Sequence, residues 1–458
     1  MSKFDAITIG TGQAGPSLAS RLAKAGMKIA VVERKLFGGT CVNTGCIPTK
    51  TLVASAYAAH LARRASFYGV TLAGDVKVDM KALNARKDGV LMQSRKAVEA
   101  GLRNLPNCSV YQGHARFESA TEVRVGADLL SAEKFFLNVG SRAAVPELPG
   151  IDKIEYLTNS TILELDTLPS HLVVVGGSYV GLEFAQMFRR FGSEVTVVEK
   201  APRLVQHEDE DVSAAIKEIL EAEGIQIRLG AECIHFGVRG TEPVVGTSCT
   251  VGAPEIAGSH VLLAMGRRPN TDDLGLDAIG MKRDERGYVV VDDELRTSID
   301  GIWAMGDCNG RGGFTHTSYN DYEIVAGNLL DGEKRRVTDR IQAHALYIDP
   351  PLGQVGMTEA EVRKSGRPAL MATRPMSKVG RAVEKGETQG FMKVLVDAES
   401  KRILGASILG TGGDEAIHCI LDTMYADAPY TTLSRAVHIH PTVSELIPTT
   451  LQSLKPLA

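Results

Sequence analysis

The chain has 458 residues, 44% of them hydrophobic and 23% charged, with a formal net charge of −4. That length exceeds one compact core, so several domains are expected, and the absence of a basic field or a Lys/Arg block with interleaved aromatics argues against a nucleic-acid partner. The start, MSKFDAITIG, reads as neither a signal peptide nor a spanning segment, so no membrane partner and a cytoplasmic location are expected.

In chain order, Phe4 to Glu33 reads as apolar strand, glycine turn, amphipathic helix, apolar strand. Gly10, Gly12 and Gly15 form GxGxxG at the strand-to-helix turn, where missing Cβ atoms let helix N-terminal amides approach a pyrophosphate. Glu33 ends the second strand, 18 residues after Gly15, in position to accept hydrogen bonds from a ribose.

Next comes GGTCVNTGCIPTK, Gly38 to Lys50. Two cysteines five apart on a regular helix are separated by a rise of ~7.5 Å, just beyond disulfide reach, but Asn43, Thr44 and Gly45 are poor helix formers that let the turn distort. Gly38, Gly39 and Thr40 are expected to open a helix whose N-terminal field favours thiolate. Lys50, one turn beyond Cys46 on the same face, adds positive charge. The pair Cys41/Cys46 therefore reads as redox-active rather than as two buried small hydrophobes. Cys108, Cys233, Cys249 and Cys419 have no near partner in sequence and read as packing residues.

The glycine unit recurs from His171 to Glu199. Gly10 and Gly176, Gly15 and Gly181, Glu33 and Glu199 are each separated by 166 positions, with Ser178 in place of Gly12. Two dinucleotide sites follow, most economically one held flavin, FAD, and one exchanging nicotinamide. Glu199 accepts from a free 2′-OH and repels a 2′-phosphate, which favours NADH; Lys200 and Arg203 lie near the same edge and keep NADPH open.

From about residue 336 strand-like runs such as GFMKVLVD mix with a helical DEAIHCILDTMYA, compatible with an α+β domain. The last chemical cluster is HIHPTVSELIP, His438 to Pro448. No third ligand has metal-site spacing, so the sharper reading is a general base, His440, with Glu445 fixing its tautomer.

GTCVNTGCIPTK with the duplicated fingerprint resembles class I pyridine nucleotide-disulfide oxidoreductases, the group of lipoamide dehydrogenase, glutathione reductase and mercuric reductase, over essentially the whole chain. The resemblance implies an α/β fold of two Rossmann-like domains plus a C-terminal α+β dimerisation domain: FAD on 1–150 and 266–335, NAD(P) on 151–265, the subunit interface on 336–458. Asn138 to Ser141, including Gly140, and Gly266 to Asn270 resemble the family's two crossovers, and Thr297 to Asp307 its second FAD fingerprint. By that resemblance Asp307 binds the ribityl chain, Cys308 packs near the flavin, Lys50 pairs with Glu183 near flavin N5, Cys46 contacts the flavin and Cys41 meets substrate. HPTxxE implies a homodimer in which His440 and Glu445 serve the partner subunit's dithiol.

The implied reaction moves electrons between NAD(P)H and a disulfide or dithiol of the lipoamide type. The alternative is reduction of mercury or copper ions or of a quinone at the same centre. The chain has no cysteine after Cys419 and no CxxC segment ahead of its fingerprint, which weighs against dedicated mercury reduction.

Overall fold

The computed structural model describes residues 1–248 and 254–457. Strand Ala6–Ile9, helix α1 (Ala14–Lys24) and strand Ile29–Glu33 form the first parallel unit. Both strands are buried along their whole length, the pattern of a parallel sheet covered on two faces. Leu18, Ala19, Leu22 and Ala23 put one stripe of α1 into the core, while Arg21 and Lys24 sit in its last turn, where cations offset the helix dipole.

The cysteine segment follows as two helices, α2 (Gly39–Thr44) and α3 (Cys46–Arg63), broken at Gly45 with φ −134° and ψ −123°. The distortion expected of Asn-Thr-Gly is therefore a full helix break. Helix α4 (Met80–Arg103) packs along α3, its first turn capped by Asp79, whose side chain accepts from the Lys81 and Ala82 amides.

The second unit is strand His171–Val175, helix α5 (Tyr179–Phe191) and strand Glu194–Val198, followed by helix α6 (Glu210–Ala222). Its sheet repeats the first strand for strand. His260–Leu263 flanks the first strand as Lys134–Leu137 does in the first sheet, and Gln226–Arg228 flanks the second as Cys108–Gln112 does. All these pairings are parallel; the first sheet alone adds Ile302–Ala304, which leads to helix α7 (Thr315–Leu330). The two halves are joined where Ser141–Ala143 pairs antiparallel with Arg267–Pro269. A six-stranded antiparallel sheet with short helices makes up the C-terminal part. No described helix is long and apolar enough to cross a membrane.

Leu52 and Ala56 of α3, Leu182 and Phe184 of α5, and Leu346 and Ile348 of the C-terminal part share one buried cluster. The cysteine helix is thus wedged between the second nucleotide unit and the C-terminal sheet. Each of the buried Leu, Ile and Phe side chains contributes ~1.5–3 kcal/mol.

Arg190 of α5 spans the same junction, 5% exposed, with Nη2 2.6 Å from Glu223 and Nη1 2.7 Å from Asp349. Arg190→Ala leaves two carboxylates uncompensated in a largely buried setting and is expected to cost ~3–5 kcal/mol. The exposed pair Arg21–Asp331 is expected to cost at most ~1 kcal/mol when broken. Urea denaturation of Arg190→Ala beside Arg21→Ala checks the difference, and equal midpoints would refute it.

Candidate active site

Glycine at position 10 is required by geometry: its φ is +100°, and a Cβ there would lie 2.3 Å from the Asn138 carbonyl oxygen. The second unit has the same constraint, Gly176 having φ +118° and a Cβ position 2.3 Å from the Ala264 oxygen. Gly15 and Gly181 each bring a helix close onto the carbonyl of Gly10 or Gly176, where a Cβ would lie 2.3 and 2.1 Å from the oxygen. At the first turn a Cβ on Gly12 would meet Asn138 Oδ1 at 2.7 Å, and one on Gly39 would meet Gly12 Cα at 2.8 Å. The turn and the opening of α2 therefore present bare backbone to each other, a surface suited to a pyrophosphate.

Both acidic strand ends bind back to their turns. Glu33 Oε2 accepts from the Thr11 amide (3.0 Å) and hydroxyl (2.5 Å), and Oε1 from the Lys35 amide. The Thr11 hydroxyl in turn accepts from the Gly38 amide at 3.1 Å, tying the first turn to the cysteine segment. Glu199 accepts from the amides of Gly177 (2.6 Å) and Ala201 (2.7 Å). Ser178, in the place of Gly12, is exposed and extended.

Asn138 joins the fingerprints. Its Oδ1 accepts from the Gly15 amide and its Nδ2 donates to the Met305 carbonyl, both at 3.0 Å. Asp307 lies one turn further on; Ser141 Oγ donates to it at 2.5 Å, and Arg267 reaches Ser141 Oγ at 2.7 Å. Ser141, Arg267 and Asp307 face a cavity of about 500 Å³ whose outer wall includes Arg286, Tyr288 and Arg311. Gly140, φ +67°, and Gly266, φ +111°, sit at the two crossovers.

The dithiol lies beside this turn. Cys41 is half-buried in α2 and Cys46, the first residue of α3, is exposed; both are free thiols. Cys46 Sγ lies 3.2 Å from Thr315 Oγ1, in the first turn of α7. The hydrogen bond from Cys41, helped by Thr315 and the Lys50 charge against the opposing effects of burial and Glu183, lowers the Cys46 pKa to about 6. That same bond, with burial, pushes the Cys41 thiol far above the ordinary range. Of the two, Cys46 is the thiol that loses its proton more readily. Lys50 Nζ is 2.6 Å from Glu183 Oε2, and Glu183 is 7% exposed.

His440 and Glu445 are also together: Nδ1 lies 3.1 and 2.9 Å from the two carboxylate oxygens. A carboxylate accepts there, so Nδ1 carries the proton and Nε2 is the basic nitrogen. His440 is 80% exposed, and no described hydrogen bond links it to Cys41 or Cys46 of the same chain. Val437 and Ile439 beside it are 99% and 80% exposed, apolar surface of the kind an interface covers. Neighbouring His438 donates from Nδ1 to the Ser444 carbonyl. Among the described residues no group of three or more His, Cys, Asp or Glu side chains is arranged to hold a metal ion.

One cysteine departs from expectation. Cys233 is disulfide-bonded rather than a lone packing residue, a pairing that sequence separation alone does not reveal; Cys249 lies outside the described residues. Burial raises Cys108 and Cys419 to about 11 and Cys308 to about 12, as for inert packing thiols. Sequence reasoning passed over Thr315, 269 residues from Cys46, and Tyr347, whose ring lies under Lys50; neither carries a motif.

Comparison with known proteins gives a consistent picture. The profile described as pyridine nucleotide-disulphide oxidoreductase matches residues 4–321, and that family's dimerisation domain matches residues 342–451. The probable pyridine nucleotide-disulfide oxidoreductase RclA of Escherichia coli K12 is 37% identical, covering 97% of this chain and 98% of its own. A dihydrolipoyl dehydrogenase of Thermus scotoductus is 33% identical over 97% and 96%. Among solved structures, the Cu(II) complex of the HOCl-induced flavoprotein disulfide reductase RclA from Escherichia coli superposes with a TM-score of 0.90 at 35% identity, covering 99% of each chain.

Proposed function

The chain belongs to the pyridine nucleotide-disulphide oxidoreductase family, enzymes that use FAD and NAD(P)H, and from that premise we propose that Cys41 and Cys46 are its redox pair, reducing a disulfide substrate with electrons from NADH. The observation that carries this reading is the placing of Cys46, 3.2 Å from Thr315 Oγ1, with Cys41 and the Lys50–Glu183 pair around it, an environment that lowers the Cys46 pKa to about 6. Bound FAD supplies the two-electron link between nicotinamide and dithiol.

Gly10, Gly12, Gly15, Glu33, Gly39, Thr40, Lys50, Gly140 and Asp307 hold FAD on this reading, Gly176, Gly181, Glu183 and Glu199 form the nicotinamide side, and Gly266 lies at the crossover between the two. The contacts among bare turn glycines support it. FAD then rests on 1–150 and 266–335, the nicotinamide on 151–265, and the subunit interface on 336–458. Glu199 favours NADH by repelling a 2′-phosphate. Cys41 is the thiol that attacks the substrate, and because its proton is held tightly, a base must remove it. His440 of a second copy, oriented by Glu445, is that base; exposed Val437 and Ile439 support its lying in a homodimer contact.

Anaerobic reductive titration tests the reading. Four electrons per chain are expected, two beyond those of the flavin, with two thiols appearing; uptake of two electrons and no thiols would sink it. A second reading, reduction of a thiophilic metal ion at the same dithiol, is favoured by the thiolate on Cys46 and by the relative solved with Cu(II).

A further inference from the structure

Lys50 is held from two sides. Glu183 takes its ammonium at 2.6 Å, and the ring of Tyr347 lies beneath the same nitrogen at 4.6 Å. Tyr347 comes from the C-terminal part, in the link between strands Ala343–Leu346 and Leu352–Gly356. That link is fastened to one face of α5 through three successive contacts. The Tyr347 amide donates to Glu183 Oε1 at 3.0 Å, Gln186 exchanges two hydrogen bonds with the Asp349 backbone at 2.7 Å, and Arg190 pairs with the Asp349 side chain. Positions 183, 186 and 190 share a helix face, so the backbone of 347–349 is registered against α5, which fixes where the half-exposed Tyr347 ring leaves the chain.

We propose that Tyr347, supplied by the dimerisation domain, is a positioning residue that holds the Lys50 ammonium beside Cys46 through its ring face. The inference rests on the reading of Cys41 and Cys46 as the redox pair. A Lys–carboxylate pair alone leaves a four-carbon stem free to swing the ammonium toward solvent, since Lys50 is 33% exposed. The aromatic face adds a second, directional attraction on the same nitrogen. The groups bearing on Cys46 are Cys41 from α2, Lys50 from its own helix, Glu183 from α5, Thr315 from α7, and Tyr347. Asp414 and Glu415 face Tyr347 in turn. Burial, Asp414 and Glu183 keep its phenol protonated, so its contribution is the neutral ring. The fold thereby lets the segment that builds the subunit contact adjust the charge next to the reactive sulfur.

The test is the pH dependence of iodoacetamide alkylation of the dithiol in the reduced holoenzyme, read by peptide fragmentation that tells Cys46 from Cys41. In the unsubstituted protein the midpoint is expected at about 6. Tyr347→Leu is expected to raise it by about half a unit, because a loosened Lys50 ammonium stabilises the Cys46 thiolate less. Tyr347→Phe is expected to retain the original midpoint. Graded fluorination of phenylalanine at 347 keeps shape and packing while draining the ring face, and the midpoint is expected to climb with each fluorine. An unmoved midpoint across the fluorinated series, or a Tyr347→Phe shift equal to that of Tyr347→Leu, would overturn the inference. A midpoint in the ordinary thiol range in the unsubstituted protein would instead remove the redox-pair reading itself.

Discussion

Cys41→Ser is expected to abolish disulfide turnover while the protein remains yellow. Cys41 sits in α2, half-buried, with its proton donated to Cys46. Serine fills the same space and still donates a hydrogen bond, so the contacts between α2 and the first glycine turn persist. It cannot form a sulfur–sulfur bond, and its hydroxyl is a far weaker nucleophile than a thiolate near neutral pH. Disulfide turnover is expected to fall by at least ~10³-fold, the scale of losing a covalent nucleophile. Flavin content per chain, measured by absorbance after heat release, is expected to match the parent. Residual turnover above a few per cent of the parent rate would mean that Cys41 is not the attacking thiol.

His440→Gln is expected to lower disulfide turnover by ~10²–10⁴-fold, the usual reach of a positioned acid–base group. Reduction of the dithiol by nicotinamide is expected to proceed at the parent rate, because that half of the cycle does not need the base. Rapid-mixing measurement of the two halves separates them. Glutamine preserves a hydrogen-bonding partner for Glu445 and removes the basic nitrogen, so the substitution isolates proton transfer from packing. Equal slowing of both halves would assign His440 to the fold instead. Turnover of a thiophilic metal ion that survives in His440→Gln while disulfide turnover is lost would favour the second reading of the centre.

The doubled nucleotide unit was legible in the sequence because its determinants are local: glycines at fixed offsets, buried β-branched strands, and an acid at the second strand's end. The structure extends that correspondence to the flanking strands, Lys134–Leu137 with His260–Leu263 and Cys108–Gln112 with Gln226–Arg228, whose partners are far away in sequence. The cysteine segment was legible as a weak point in a helix, but its complete break at Gly45 depends on the packing of two helices in different directions. Thr315 and Tyr347 were not legible, since each meets the dithiol or its lysine only after three sheets have assembled. The bonded state of Cys233 was missed because a cross-link is set by how strands fold back, not by spacing along the chain.

The two acid-to-turn clasps are unequal, and on the proposed reading that inequality separates the held dinucleotide from the exchanging one. Three donors converge on Glu33, one of them a hydroxyl that also fastens the next segment of chain, whereas two backbone amides suffice for Glu199 beside an open serine. A turn tied by more bonds yields less readily around a bound dinucleotide than one tied by fewer. Residence times measured separately for the two dinucleotides should therefore differ by orders of magnitude, with the longer belonging to the amino-terminal copy.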